Sequence, residues 1–207
     1  MVVVVGGHSR NIGKTSVVCG IVRGLPGFHW TAIKITQHGH GVCSRAGEPC
    51  DCADPKHPIA ISEEHGAAPE TDSGRFLAAG ARRAFWVRTP AGRLGEILPR
   101  LKRLLAEAEN AVVESNSLLG FIRPDLALMV VDGAVADFKP TCLRSLDRAD
   151  ALVATSDAPL AWPGVPESLV RGKPVFRAWQ YESSALLAKI RGLALKSQPD
   201  SDDITRE

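Results

Sequence analysis

Nine residues near the N-terminus, Gly7-His8-Ser9-Arg10-Asn11-Ile12-Gly13-Lys14-Thr15, combine the residue types that hold phosphate. They follow a β-branched apolar run at residues 2–5 and open a helical pattern over 14–23. Glycines let the backbone fold so that successive N–H groups point inward, and the helix N-terminus adds its partial positive charge. A lysine at the position of Lys14 reaches the β- and γ-phosphates, and a hydroxyl at the position of Thr15 ligates Mg²⁺. Gly7, Asn11, Ile12, Gly13, Lys14, Thr15 and Ser16 are therefore expected to cradle GTP or ATP together with Mg²⁺. A glycine-rich turn that binds nothing is the bland alternative, and the strand-loop-helix context argues against it. Arg10 is either a charge-stabilising finger or a solvated loop arginine. His8 is placed either to touch a phosphate oxygen or, as lone loop histidines more often do, to face water, and is left out of the catalytic set.

Phosphoryl chemistry also needs carboxylates to orient Mg²⁺ or its water shell. Glu114 and Asp132 each end an apolar run, and ligands gather at the carboxyl ends of strands in open α/β sheets. Asp72 starts a helical pattern beside Thr71, so it either contacts Mg²⁺ and activates water or caps the helix. Ser156-Asp157 follows another apolar run. An aspartate there can accept from N1–H and the exocyclic amine of guanine, although no Asn-Lys-x-Asp motif accompanies it; a plain turn before Pro159 is the alternative.

Residues 37–70 hold three of the five cysteines and four of the six histidines, with no helical period and no strand alternation. So long a loop inside a domain reads as a functional insertion. Cys43, Cys50 and Cys52, with His38, His40 and His57 nearby, offer thiolates and imidazoles that suit zinc or an iron–sulfur cluster. Three thiolates need a fourth ligand, from a histidine or from a second protomer. Redox-active thiols and an inert loop remain the competing readings. Cys19 and Cys142 read as small packing residues.

The elements that must position these groups alternate. Short apolar runs at 31–35, 84–87, 111–113, 126–131, 151–154 and 174–176 join the first one. Helical patterns at 14–23, 73–81, 94–108 and 183–195 fall between several of them. Strands alternating with helices call for a mostly parallel three-layer α/β/α sandwich. Residues 1–195 read as one nucleotide-binding domain carrying the insertion, and 196–207, polar and acidic, as a flexible tail. In a chain of 207 residues, 44% hydrophobic and 23% charged content allow a real core. Twenty-five basic against 23 acidic residues leave +2, too balanced for nucleic acid or an anionic membrane as the main partner. The longest apolar run, at 126–131, is far short of the about 20 residues that span a bilayer. An odd number of thiols and the lack of a signal-peptide pattern point to the cytoplasm.

The phosphate loop, with five residues between Gly7 and Gly13, resembles that of the dethiobiotin synthetase and cobyrinic acid amidase group of P-loop enzymes. The lysine that marks ParA-like ATPases would fall near Ser9 and is absent. From the second strand onward the chain resembles the molybdopterin-guanine dinucleotide biosynthesis adaptors (MobB). Lys34, Thr36 and His38 coincide with that family's Lys-His-Thr-His-His run. Thr71-Asp72-Ser73, Ala79-Gly80-Ala81, the strand-end Glu114 and Ala154-Thr155-Ser156-Asp157-Ala158-Pro159 are similar to its later motifs. Ser115-Asn116-Ser117 replaces the family's Gly-Phe-Lys, and the cysteine-rich insertion is foreign to its pattern. The resemblance implies a P-loop NTPase fold, Glu114 rather than Asp132 as the Mg²⁺ carboxylate, and a homodimer. It also implies slow GTP or ATP hydrolysis in cofactor or metallocentre biosynthesis, with a partner protein from that process. A nucleotide-switched metal or iron–sulfur carrier and a dethiobiotin synthetase-like small-molecule kinase or ligase are the rival functions.

Overall fold

The computed structural model describes residues 1–38, 59–178 and 181–196. Eight strands form one sheet: β1 (Val2–Gly7), β2 (Trp30–His38), β3 (Ala60–Glu64), β4 (Arg83–Pro90), β5 (Asn110–Glu114), β6 (Leu126–Val131), β7 (Ala151–Ala154) and β8 (Val175–Arg177). Their spatial order is β3-β4-β2-β5-β1-β6-β7-β8, parallel throughout except for β3, which pairs antiparallel with β4 at the edge.

Period-two side-chain geometry explains why the central strands are apolar at every position. In β1, Val3 and Val5 join one core while Val4 joins the other. In β6, Leu126, Leu128 and Val130 face the first core and Ala127, Met129 and Val131 the second. The first core is covered by α1 (Lys14–Gly24), α2 (Asp72–Ala78) and α5 (Ser184–Lys196), through Val17, Val18, Phe76, Leu186 and Ile190. The second is covered by α3 (Leu94–Glu107), whose Leu94, Ile97, Leu101, Leu104 and Leu105 are buried as its leucine stripe requires. Burying a stripe like this contributes roughly 1.5–3 kcal/mol per large aliphatic side chain. A three-layer α/β/α sandwich results.

Strand order reverses at β1, with β2 and β5 on one side and β6, β7 and β8 on the other. The loops leaving β1, β5 and β6 therefore converge at one crevice, the place where open α/β sheets take their ligands.

Three expectations need correction. Residues 37–70 are not free of strand: β2 extends through His38, and Ala60–Glu64 forms β3. That edge strand is half-buried except at exposed Glu63 and lacks an apolar alternation, so pairing with β4 rather than its own pattern makes it a strand. Helix α5 continues through Lys196, the first residue of the expected tail. The short helix α4 (Pro140–Leu143) follows β6 where no helix was expected. Cys43, Cys50, Cys52, His40 and His57, and residues 197–207 of the expected tail, lie outside the described residues.

Candidate functional site: a phosphate loop and its carboxylates

Residues 7–13 turn directly from β1 into α1. Gly13 caps the helix in the left-handed region, with φ 90°, and a Cβ there would fall 2.1 Å from Tyr181 Cε1. The left-handed φ favours glycine, and a side chain there would also have to displace the exposed Tyr181 ring. Asn11, at φ 53°, is the other left-handed residue of the loop, in a conformation asparagine tolerates better than most residues. Ile12 is buried in the first core and pins the loop from beneath.

The loop is clamped from two neighbouring strands. Asn116, just past β5, accepts from the Gly7 N–H at 2.7 Å and donates to the Gly7 carbonyl at 2.9 Å. Ser9 donates to Asp137 at 2.6 Å. His8 does not face water: it is fully buried, its ring 5.2 Å from Phe138 and 5.1 Å from Trp162 between centroids. Nε2 lies 3.2 Å from the Val135 carbonyl, and Nδ1 has no partner among the described residues. Burial holds the His8 pKa below its usual value, against weaker opposing contributions from backbone contacts and acidic neighbours.

Thr15 donates to Glu114 Oε2 at 2.7 Å, which joins the start of α1 to the end of β5. Glu114 is buried, and its other oxygen meets the ammonium of Lys34 on β2. Lys34 also pairs with Asp72 at 2.8 Å. Burial opposes the charge on Lys34, but Glu114 and Asp72 outweigh it and raise its pKa. Burial likewise pushes Asp72 up. The charge and hydrogen bond of Lys34, with help from Thr15 and Arg75, win and leave its carboxyl below the usual range.

Asp72 is not the helix cap. Thr71 takes that role, its side chain accepting from the Gly74 N–H at 3.0 Å, and Asp72 in the first turn is free to face Lys34. Glu64 at the end of β3 accepts from Ser73 at 3.0 Å and from Thr71 at 3.2 Å, so the unexpected strand anchors the helix that carries Asp72. Ser16 accepts from Arg75 at 3.2 Å. Asp132 is engaged by the β7 loop and its own turn, accepting from Ser156, Thr155 and the Ala134 N–H. Asp157 lies on the exposed rim, paired with Arg177 at 2.7 Å.

Thr15, Glu114 and Asp72 give a hydroxyl and two carboxylates around one point, hard oxygen donors of the kind Mg²⁺ takes alongside the phosphates it accompanies. Among the described residues no group of three or more histidine, cysteine, aspartate or glutamate side chains could hold a metal by itself. Lys14, at the head of α1, donates to the Ser9 carbonyl at 3.3 Å, and burial lowers its pKa, with Glu114 in partial offset. Lys34, Asn116 and Lys139, which lies beside the loop, were not in the expected set.

No protein-family model matches the chain, and no curated protein sequence matches it. Solved structures do. HypB from Helicobacter pylori, in complex with nickel, superposes with a TM-score of 0.50 at 13% identity, over 94% of this chain and 85% of that one. LpxK from Aquifex aeolicus, in complex with ATP, gives a TM-score of 0.49 at 19% identity, over 88% of this chain and 57% of that one. At such identities the likeness speaks to architecture alone. The chain has the P-loop NTPase fold. In this chain residues 7–15 join β1 to the start of α1, and Glu114 ends β5. No helix among the described residues is long and apolar enough to cross a membrane.

Proposed function

We propose that this protein binds a nucleoside triphosphate, GTP or ATP, with Mg²⁺ and hydrolyses it slowly. The hydrogen bond from Thr15 to Glu114 carries the reading, because it aligns a hydroxyl and a buried carboxylate beside Lys14 at a helix N-terminus. Thr15 would ligate Mg²⁺, with Glu114 and Asp72 holding it or its water shell. Mg²⁺ supplies charge neutralisation at the phosphates, and the chain's own work is positioning. Backbone N–H groups of the loop and Lys14 hold the phosphates. Asp72, kept ionised by Lys34, is the group placed to orient a water. Ser156 and Asp157 form the rim facing the base, where guanine recognition requires Asp157 to exchange Arg177 for the base edge.

The biological setting we infer is cofactor or metallocentre biosynthesis, as a MobB-like homodimer with a partner protein from that process. This rests on the sequence motifs above. The Cys43, Cys50 and Cys52 array supports a second reading in which nucleotide switches a zinc or iron–sulfur carrier.

Calorimetric titration with Mg·GTP and Mg·ATP tests the first reading. Wild type should bind at least one of them. Lys14→Ala should bind about 100-fold more weakly, since charge-assisted phosphate bonds are among the strong ones. Absence of heat for folded wild-type protein overturns the proposal. Metal analysis and a visible spectrum of protein purified without oxygen test the second reading, and colourless, metal-free material overturns it.

A further inference from the structure

The segment between β6 and α4 is docked along the phosphate loop residue by residue. Asp137 accepts from the Ser9 hydroxyl at 2.6 Å, Phe138 packs its ring against His8, and the Lys139 N–H donates to the His8 carbonyl at 2.7 Å. Trp162 closes the same aromatic group and donates to the Val135 carbonyl at 2.9 Å, which fixes the start of the segment. Lys139, half-buried, is thereby held at the loop's edge rather than at large in solvent. Its ammonium feels Lys14 and Arg10 of the loop and Lys34 of β2 as like charges, with Asp137 of its own segment in partial offset. Below it lies the buried thiol of Cys142 on α4, pushed up to about 12 by burial.

Neither sequence spacing nor the Gly-Lys-Thr motif accounts for a second lysine at this edge. Lys139, Lys14 and Arg10 at one loop edge, with partial offset from Asp137 and, at Lys14, from Glu114 and Asp72, suit an occupant that brings several negative charges. We propose that Lys139 is a phosphate-binding residue, an arm from the β6 side that meets the polyphosphate of the nucleotide opposite Lys14. This rests on the nucleotide reading above and adds to it a residue outside the loop motif.

Without an anion, burial and then the charges of Lys14 and Arg10 bring the Lys139 pKa down to about 8. A bound polyphosphate restores the missing counter-charge and raises that value. Binding at pH 8.5 should then take up a proton at Lys139. Arginine stays protonated in this range and would bind the phosphate without the uptake.

The experiment is calorimetry with Mg·GTP and Mg·ATP at pH 7.0 and 8.5, in two buffers of different ionisation enthalpy. Wild type, Lys139→Met and Lys139→Arg are compared after circular dichroism has shown each to be folded. We expect Lys139→Met to bind about tenfold more weakly at pH 7.0 and to take up less proton than wild type at pH 8.5. Lys139→Arg should keep wild-type affinity at pH 7.0 and lose the same share of uptake. Unchanged affinity and unchanged uptake in Lys139→Met, with wild type binding normally, overturn the role of Lys139 alone. Failure of wild type to bind either nucleotide removes the nucleotide reading itself, and Lys139 with it.

Discussion

On the β2–β5 side of the phosphate loop, the ammonium of Lys34 lies between Glu114 and Asp72. On the β6 side, burial and the like charges of Lys14 and Arg10 act on Lys139, with Asp137 in partial offset. The two lysines respond in opposite directions: paired Lys34 is held more firmly protonated than usual, and Lys139 falls to about 8. Both lose hydration by burial, so the difference lies in the counter-charge each finds within the chain. Where a fold balances its own charges, the group is structural as well as functional. Where it leaves cations converging without balance, the balance is set to come from a ligand. One wall of this site is complete in the chain alone, and the other is completed by an anion.

The largest expected effect comes from making the first wall resemble the second. Glu114→Ala removes the buried partner of Lys34 and the acceptor of Thr15, leaving Asp72 to hold the ammonium alone. Breaking a buried pair on one side typically costs about 3 kcal/mol or more, most of it from the stranded charge. Urea unfolding should register that loss. Adding Lys34→Met should recover part of it, with a coupling of at least about 1 kcal/mol in the double-mutant cycle. Simple additivity of the two substitutions would show that the pair is not the unit described here.

A second contrast concerns how each side grips the loop backbone. From β5, the Asn116 side chain makes two hydrogen bonds to Gly7, whereas from the β6 segment the Asp137 side chain makes one, to the Ser9 hydroxyl, beside the backbone bond from the Lys139 N–H to the His8 carbonyl. Asn116→Ala strands a backbone donor and acceptor together and should cost about 2 kcal/mol. Ser9→Ala should cost about 1 kcal/mol or less, because Asp137 is exposed and can turn to water. Thermal unfolding of the two variants orders them, and a larger loss for Ser9→Ala would reverse the assignment of the main clamp.

The first wall was more legible in the sequence than the second, for a physical reason. Residues 7–15 announce themselves because local geometry demands glycine, lysine and threonine at fixed spacing between a strand and a helix. The central strands show because full burial on both faces leaves no polar positions. Lys34 carries a signal of its own: a lone lysine inside the apolar run at 31–35 must find acidic partners. Asn116 and Lys139 carried none. They act through backbone groups of residues about a hundred positions away or more, and only the packing of the β5 and β6 ends onto β1 brings them there. Strand β3 was hidden for the same kind of reason, since an edge strand takes its register from its neighbour. The sequence leaves Asp72 open between helix cap and site residue, and Thr71, which satisfies the helix N-terminus, takes the cap.

The smallest effect separates the two sides by pH rather than by substitution. His8, wedged between Phe138 and Trp162 on the β6 side, has a folded pKa below its ordinary 6.5 because burial disfavours the imidazolium. Below pH 6.5 the unfolded chain therefore binds a proton that the folded chain does not, and stability falls as pH falls. Above that value the contribution is fully present. Asp72 adds to acid lability only lower, below about 3.8, where its unfolded carboxyl begins to protonate. Between pH 7 and pH 5 the thermal midpoint of wild type should thus drop more than that of His8→Phe, whose ring keeps the aromatic packing and does not titrate. Equal drops in the two proteins would mean that His8 is solvated in solution, and the β6 segment would lose the contact that fixes it against the loop.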